Sequence, residues 1–452
     1  MNTAFAQTNQ RQHVLCRWVY SQSRPVRLSR WAVAMLAIGL GLAHLRFPIE
    51  TLRPEYLSRK DFLQEYTLAR AIADRIDPYL PTEVLAARYV GGVPNLVLPH
   101  PTPHPPPVGL LLLPLSLFDY PTAAAVWFGV EIILLVASVY LLGRAVGARP
   151  TIWATLGIAT ALLIWYPLWV ELTWGQLQVP MLALLAGAWV ALRSRRSALG
   201  GALVGLAILL KPIPLPLLLL FVLRKDWRGL LGAGSVVCAG YLAAGCVVGL
   251  GTLETYFTTV LPLVTKIYRA SWGNLSISSL GWRVFYGTGS EMITGTVAPP
   301  LVRFTAAAEV ASVALPCLVL LVGCLALRRQ RSVDVSLGVL VSVSILVMPI
   351  SWPHYLVLAA IPAAQVIHWL ARHQLPARET NVALIVGMLL IVDWVRLARF
   401  LVGLAQGTDP TDTIPFALAQ IPLMAAVAIG ALAWLVGRLG PADASLPAVP
   451  VN

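Results

Sequence analysis

Apolar residues in this chain come in long blocks rather than in alternation. Runs with few charges recur at 31–47, 123–143, 151–169, 177–192, 229–250, 301–327, 333–350, 355–371, 381–400 and 415–436. Each is close to the ~17–25 residues that cross ~30 Å of hydrocarbon as a helix. Backbone polar groups in lipid must be satisfied within the segment, so the runs predict helices. A further segment, 199–223, begins and ends beside basic clusters and carries Lys211-Pro212 at its middle. It is long enough for a hairpin of two short or broken helices, and one kinked span is the lesser alternative. Counted as two, it brings the total to about twelve spans, and the fold class is an all-α polytopic membrane protein.

Basic clusters separate the runs: Arg144 and Arg149; Arg193, Arg195 and Arg196; Arg224, Lys225 and Arg228; Arg328, Arg329 and Arg331; Arg372 and Arg378; and Arg438. Basic short loops mark the cytoplasmic side, so parity places both termini inside and 48–105, 170–176, 251–300 and 351–354 outside. The expected organisation is a basic cytoplasmic tail (1–30), a transmembrane domain (31–436) and a cytoplasmic tail (437–452) in the cell inner or plasma membrane. The first outer loop, 48–105, is no simple linker. Phe62, Tyr66, Ala69, Ile72 and Ile76 recur at helical spacing, which predicts an outer amphipathic helix on the membrane surface or capping the bundle. The proline-rich His100 to Pro107 follows, then Val108 to Phe118, an apolar run too short to span.

Composition agrees: 58% of residues are apolar and 12% charged, where a soluble surface needs ~25%. The net charge of +13 reads as loop asymmetry, not nucleic-acid binding, because no basic surface alternates with stacking aromatics. Cys16 lies in the basic tail and the other four cysteines fall within apolar runs, so they form neither a disulfide framework nor a metal-ligand spacing. The basic start followed by a retained first span argues against a cleaved signal.

Polar residues gather on the outer side. Asp61, at the start of the expected helix, is either a capping carboxylate or a general base at the membrane surface. Trp174-Gly175-Gln176, after Glu171, combines an interfacial Trp with a tight turn and an amide able to bond a polar ligand. Lys211 is a costly cation in an apolar hairpin, a functional candidate unless it snorkels. His354, within Ser351-Trp352-Pro353-His354-Tyr355, titrates near neutrality and can bond a phosphate or hydroxyl. His100 and His104 flank prolines and are poor metal ligands. Asp393 and Arg396 are three apart and read, with Arg399, as a structural pair.

In order, these pieces resemble glycosyltransferase family 87, bacterial GT-C membrane enzymes that use polyprenyl-phosphate mannose. The pattern is Asp61 opening a helix that ends Asp77-Pro78-Tyr79, then Pro105-Pro106-Pro107 and Gly175-Gln176. Gly200 to Leu210 leads into Lys211-Pro212, followed by Trp272-Gly273-Asn274-Leu275-Ser276 and Ser351 to Tyr355. The resemblance covers about residues 31 to 436 and implies a GT-C-type bundle. It implies transfer of a hexose, mannose by the family's donor, to an acceptor hydroxyl on the extracytoplasmic face by an inverting single displacement.

On this resemblance Asp61 is the catalytic base. Lys211 and His354, with Arg59 and Lys60 behind them, bind the donor phosphate, and Gln176, Trp174, Asn274 and Tyr355 position sugar or acceptor. The partners implied are the polyprenyl-phosphate donor, a glycolipid or glycan acceptor and membrane lipids. No metal or cofactor is expected, the lipid-linked sugar being a substrate. The residues themselves do not distinguish mannose from arabinose. A transporter or lipid flippase is the rival reading. It predicts inverted repeats and midplane polar residues, whereas no repeat is evident and the polar residues collect at one face.

Overall fold

The computed structural model describes residues 24–92, 100–289, 298–330, 332–372, 377–405 and 416–438. The basic tail up to residue 23, with Cys16, and the tail from residue 439 lie outside the described residues. Among the described residues the regular structure is helical, with one β-bridge between Thr288 and Ala298.

Among the described residues six helices are long and apolar enough to cross a membrane: Pro25–Glu50, Tyr120–Ala145, Trp227–Val248, Thr305–Leu327, Pro353–Ala371 and Phe416–Arg438. Two bent pairs bring the number to eight. Ile152–Leu162 meets Tyr166–Trp174 at 86°, and Arg378–Ile391 meets Trp394–Leu404 at 69°. The expected spans at 151–169 and 381–400 are therefore each broken. Extended Trp165 (ψ 118°) and Pro167 start a new helix in the first case. In the second, Asp393 Oδ1 accepts from the Arg396 N–H at 2.8 Å and caps a new turn.

The count of six to eight is below the expected twelve. Three of the expected spans correspond to the shorter apolar helices Gln178–Arg193, Ser197–Leu210 and Val333–Val347. Two of these are buried on nearly every face, at 13 of 16 residues in Gln178–Arg193 and 13 of 15 in Val333–Val347. Helices apolar all round belong at the centre of a bundle. By contrast, only 11% of the most apolar window of Pro25–Glu50 and 17% of that of Thr305–Leu327 are buried. Such apolar, uncovered helices suit a hydrocarbon surround.

The 199–223 segment is two helices, Ser197–Leu210 and Leu218–Leu223, broken at extended Lys211 (φ −153°) before Pro212. Proline disfavours helical backbone at the residue before it, so the helix ends there. Small residues pack Ser197–Leu210 against Trp227–Val248 backbone to backbone. A Cβ at Gly201 would clash with the Gly229 carbonyl, and one at Gly205 would come 2.6 Å from the Ala233 oxygen.

The expected helix in the first loop exists as Phe62–Ala73, but ten of its twelve residues are buried, Gln64 and Glu65 among them. The helix does not lie open on a surface: Gln64 and Glu65 face an interior, which leaves the capping alternative. Phe62, Tyr66, Tyr120, Trp127 and Tyr256 form part of a core distinct from the main bundle core, which centres on the two buried helices. Val108 to Phe118 forms two short pieces, Pro106–Leu111 and the 3-10 turn Leu113–Leu117.

Candidate functional site

Stretches distant in sequence meet where the Gln178–Arg193 helix begins and the Ser197–Leu210 helix ends. The Tyr166–Trp174 helix stops at Gly175, whose N–H returns to the Glu171 carbonyl at 2.8 Å. Its φ of +68° favours glycine, and a Cβ there would lie 3.0 Å from Phe62 Cβ and 3.4 Å from Lys60 Cε. The Trp127 indole donates to the Gly175 carbonyl at 3.0 Å, and Phe62 stacks on Trp127 with ring centroids 5.5 Å apart. This close approach of turn and helix sets Gln176 beside Asp61.

Gln176 Nε2 donates to Asp61 Oδ2 at 2.8 Å, and Lys211 Nζ donates to Gln176 Oε1. An ammonium only donates and a carboxylate only accepts, so the amide between them has one orientation. The Tyr355 ring lies 5.2 Å from Lys211 Nζ. Asp61, Trp174, Gln176, Lys211, His354 and Tyr355 share the lining of a cavity of about 490 Å³.

Three sequence-chosen residues lie elsewhere. Lys60 Nζ donates to the Thr173 carbonyl at 2.6 Å, Thr51 Oγ1 at 2.9 Å and the Leu172 carbonyl at 3.3 Å. It neutralises the carbonyl end of the Tyr166–Trp174 helix and has no donor to spare for a phosphate. Arg59 is exposed, its guanidinium 5.8 Å from the Tyr56 ring and outside the cavity lining. Asn274 is fully buried: Nδ2 donates to the Tyr268 and Pro349 carbonyls, while Oδ1 accepts from the Ser276 and Ser351 N–H groups at 3.0 and 2.9 Å. It staples two loops together and has no capacity left for a sugar.

The same loop is held by Arg283, which the sequence reading did not single out. It is fully buried and donates to the carbonyls of Ser271, Trp272, Asn274 and Ala419 and to Ser279 Oγ. Burial pushes its guanidinium down to about 9. Trp272 and Gly273, which it fixes, line the cavity.

Other lining residues were read as structural or passed over. Arg396 contacts Asp393 at 3.1 Å, as the spacing implied, but also lies 4.5 Å from the Trp169 ring centroid, and both it and Arg399 border the cavity. His100 and His104 line it as well. The Tyr268 hydroxyl donates to His100 Nε2 at 2.6 Å, which is consistent with His100 Nδ1–H donating to the Pro101 carbonyl at 2.7 Å. The signal for these histidines was the rigid proline strap that carries them.

Burial, with the Glu65 carboxylate next in weight, raises Asp61 from 3.8 to about 6, against the pull of Gln176, Lys211 and Lys60. Burial lowers Lys60 to about 8 despite Glu131 and Asp61. Asp61 is thus a carboxylate poised near neutrality on the wall of a cavity, able to take a proton there. Among the described residues no group of three or more His, Cys, Asp or Glu is placed to hold a metal ion.

Residues 103–349 match glycosyltransferase family 87. The matched stretch contains Gln176, Lys211 and Asn274, while Asp61 and His354 lie on either side of it. Over 215 residues the chain is 32% identical to the alpha-(1->3)-arabinofuranosyltransferase of Corynebacterium glutamicum, covering 45% of this chain and 49% of that protein. The chain thus spans about half the length of this curated relative. No solved structure matches significantly. With more than half of its length matched, the chain belongs to glycosyltransferase family 87.

Proposed function

We propose that the protein moves a sugar from a polyprenyl-phosphate donor to an acceptor hydroxyl, with Asp61 as general base. The observation that carries this reading is Asp61 itself. It is a carboxylate of raised pKa with one oxygen held by Gln176, on the cavity wall of a family 87 glycosyltransferase.

Asp61 takes the acceptor hydroxyl proton as that oxygen attacks the anomeric carbon. The bond from this carbon to the phosphate oxygen breaks, its electron pair leaves with the polyprenyl phosphate, and configuration inverts. The proton then passes from Asp61 to water. The leaving group is already an anion, so fixed positive charge near it is the chief aid. Lys211, Arg396 and Arg399 are the cavity's cations and His354 its further hydrogen-bonding group. They replace Arg59 and Lys60 in this role. No resident metal or cofactor takes part in this scheme.

The basic loops argue for both termini in the cytoplasm and a cavity opening on the extracytoplasmic face. A lipid-tailed donor fits a site reached from within the bilayer, and a glycolipid or glycan fits the acceptor side. The donor sugar is mannose in this reading. The arabinofuranosyltransferase relative favours an arabinofuranosyl donor as the second.

The test is transfer by the purified protein in lipid, with radiolabelled polyprenyl-phosphate mannose or its arabinofuranosyl counterpart and a membrane-lipid extract. Label should reach an acceptor with wild type, and Asp61→Asn should lower the rate by about 10²–10⁴-fold. An Asp61→Asn protein that transfers at the wild-type rate removes the base. Donor binding without transfer points to a non-catalytic subunit, and no binding at all reopens transport.

A further inference from the structure

One turn beyond Asp61, Glu65 is wholly buried, and its carboxylate lies 2.9 Å from His104 Nε2. Glu65 does not line the cavity; His104 does, although it is only 2% exposed. The backbone on both sides of the imidazole is pinned. The Tyr79 hydroxyl donates to the His104 carbonyl at 3.0 Å and the Tyr256 hydroxyl to the Pro103 carbonyl at 3.2 Å. Pro105 follows and begins the Pro106–Leu111 helix. A carboxylate behind one ring nitrogen fixes the tautomer and orientation of a histidine. With Nε2 facing the Glu65 carboxylate at 2.9 Å, Nδ1 is the polar atom left for the cavity.

We infer that His104, oriented by Glu65, is a hydroxyl-binding residue of the cavity, accepting at Nδ1 a hydrogen bond from one hydroxyl of the bound sugar. Burial, aided by the charge of Lys211, lowers the His104 pKa against the opposing pull of Glu65. The ring is therefore neutral at neutral pH, with a lone pair on Nδ1. Glu65 is a positioning residue: it acts through His104 and does not face the substrate. Asp61 and His104 then meet the sugars from neighbouring parts of one wall, the first removing a proton and the second selecting a hydroxyl pattern. A site built to bond a hydroxyl discriminates against the analogue that lacks it.

This inference rests on the glycosyltransfer reading, and its test separates the two. Transfer is measured with the intact protein in lipid, using the polyprenyl-phosphate sugar, its monodeoxy analogues and monodeoxy acceptors. In wild type, one deoxy position should lower kcat/KM about tenfold more than the others. Glu65→Gln replaces an acceptor-only carboxylate with an amide that can either donate to Nε2 or accept from it, so the tautomer is no longer fixed and that selective penalty should shrink. Glu65→Asp keeps the charge and should retain the penalty. Should Glu65→Gln fail to fold, His104→Asn, whose amide oxygen replaces the acceptor, should keep part of the penalty, and His104→Phe should abolish it. The tautomer is read independently by ¹⁵N-histidine spectra of wild type, where Nε2–H is expected. Folded variants with an unchanged penalty, or an Nδ1–H tautomer in wild type, overturn the assignment. Absence of transfer by wild type overturns the glycosyltransfer reading instead.

Discussion

Two cavities of similar size sit at opposite ends of the Gln178–Arg193 helix. The one already described, about 490 Å³, lies at its start, and the other, about 510 Å³, at its end, lined by Arg193, Arg195, Arg224, Asp226 and Asp334 among others. Both are rich in charge, but the charges are arranged differently. At the arginine end, opposite charges meet directly: Arg193 Nη1 lies 3.8 Å from Asp334 Oδ2, and Asp334 Oδ1 also accepts from the Trp189 indole at 2.6 Å. Asp226 is spent on capping, accepting from the Gly229 N–H at 3.1 Å. At the other end, Lys211 reaches Asp61 only through the Gln176 amide, so the carboxylate keeps an oxygen for a substrate. Volume and charge are alike; what differs is whether an ionisable group is consumed by its neighbours. Positive loops between spans account for the arginine end without a ligand.

The sharpest way to break this contrast is to neutralise one carboxylate at each end. Asp61→Asn should remove about 10²–10⁴-fold of activity, while Asp334→Asn lowers thermal stability and leaves the transfer rate within a few-fold. Equal losses would erase the distinction. The pH profile refines it. Asp61 must be ionised to accept a proton and its folded pKa is raised to about 6. Activity should therefore fall as pH drops through 6 and level off above it. Glu65 contributes to that rise, so Glu65→Gln should move the acidic limb to lower pH.

The sequence exposed the parts of this site that are costly where they stand. A lysine in an apolar hairpin, a carboxylate opening a helix and a Gly-Gln turn between spans each violate the pattern around them, and Lys211, Asp61 and Gln176 do converge. Adjacency misled at Arg59 and Lys60: neighbours of Asp61 in sequence, they leave in other directions, Lys60 to a helix end and Arg59 to solvent. Asn274 and Arg283 were illegible for a common reason. Their partners are backbone carbonyls and N–H groups of loops, which carry no residue-type signal. The bends near residues 164 and 393 were hidden because hydropathy averages across a break, and the Phe62–Ala73 helix proved buried because its apolar residues join a second core while Gln64 faces the cavity and Glu65 faces His104.

Arg283 gives the next largest effect. Arg283→Met leaves the carbonyls of Ser271, Trp272, Asn274 and Ala419 without their donor. An unsatisfied buried polar group costs roughly 1–3 kcal/mol, so a loss of about 3 kcal/mol or more is expected as a lower melting temperature in detergent. A melting temperature unchanged from wild type would show that the loop holds itself.

The smallest effect belongs to the arginine end, where it tests that the backbone there carries strain without function. Arg195 follows the end of the Gln178–Arg193 helix with φ +59°, a conformation that disfavours any residue with a Cβ. Arg195→Gly should relieve roughly 1 kcal/mol, raise the melting temperature by a few degrees and leave transfer unchanged. The same relief is impossible at Gly175, already glycine with φ +68°, where Gly175→Ala adds both the strain and a Cβ 3.0 Å from that of Phe62. One left-handed residue flanks each end of the Gln178–Arg193 helix, Gly175 before it and Arg195 after it, and only the one beside Asp61 should couple backbone strain to rate. If Arg195→Gly slowed transfer as much as Gly175→Ala, the arginine cavity would be part of the working site after all.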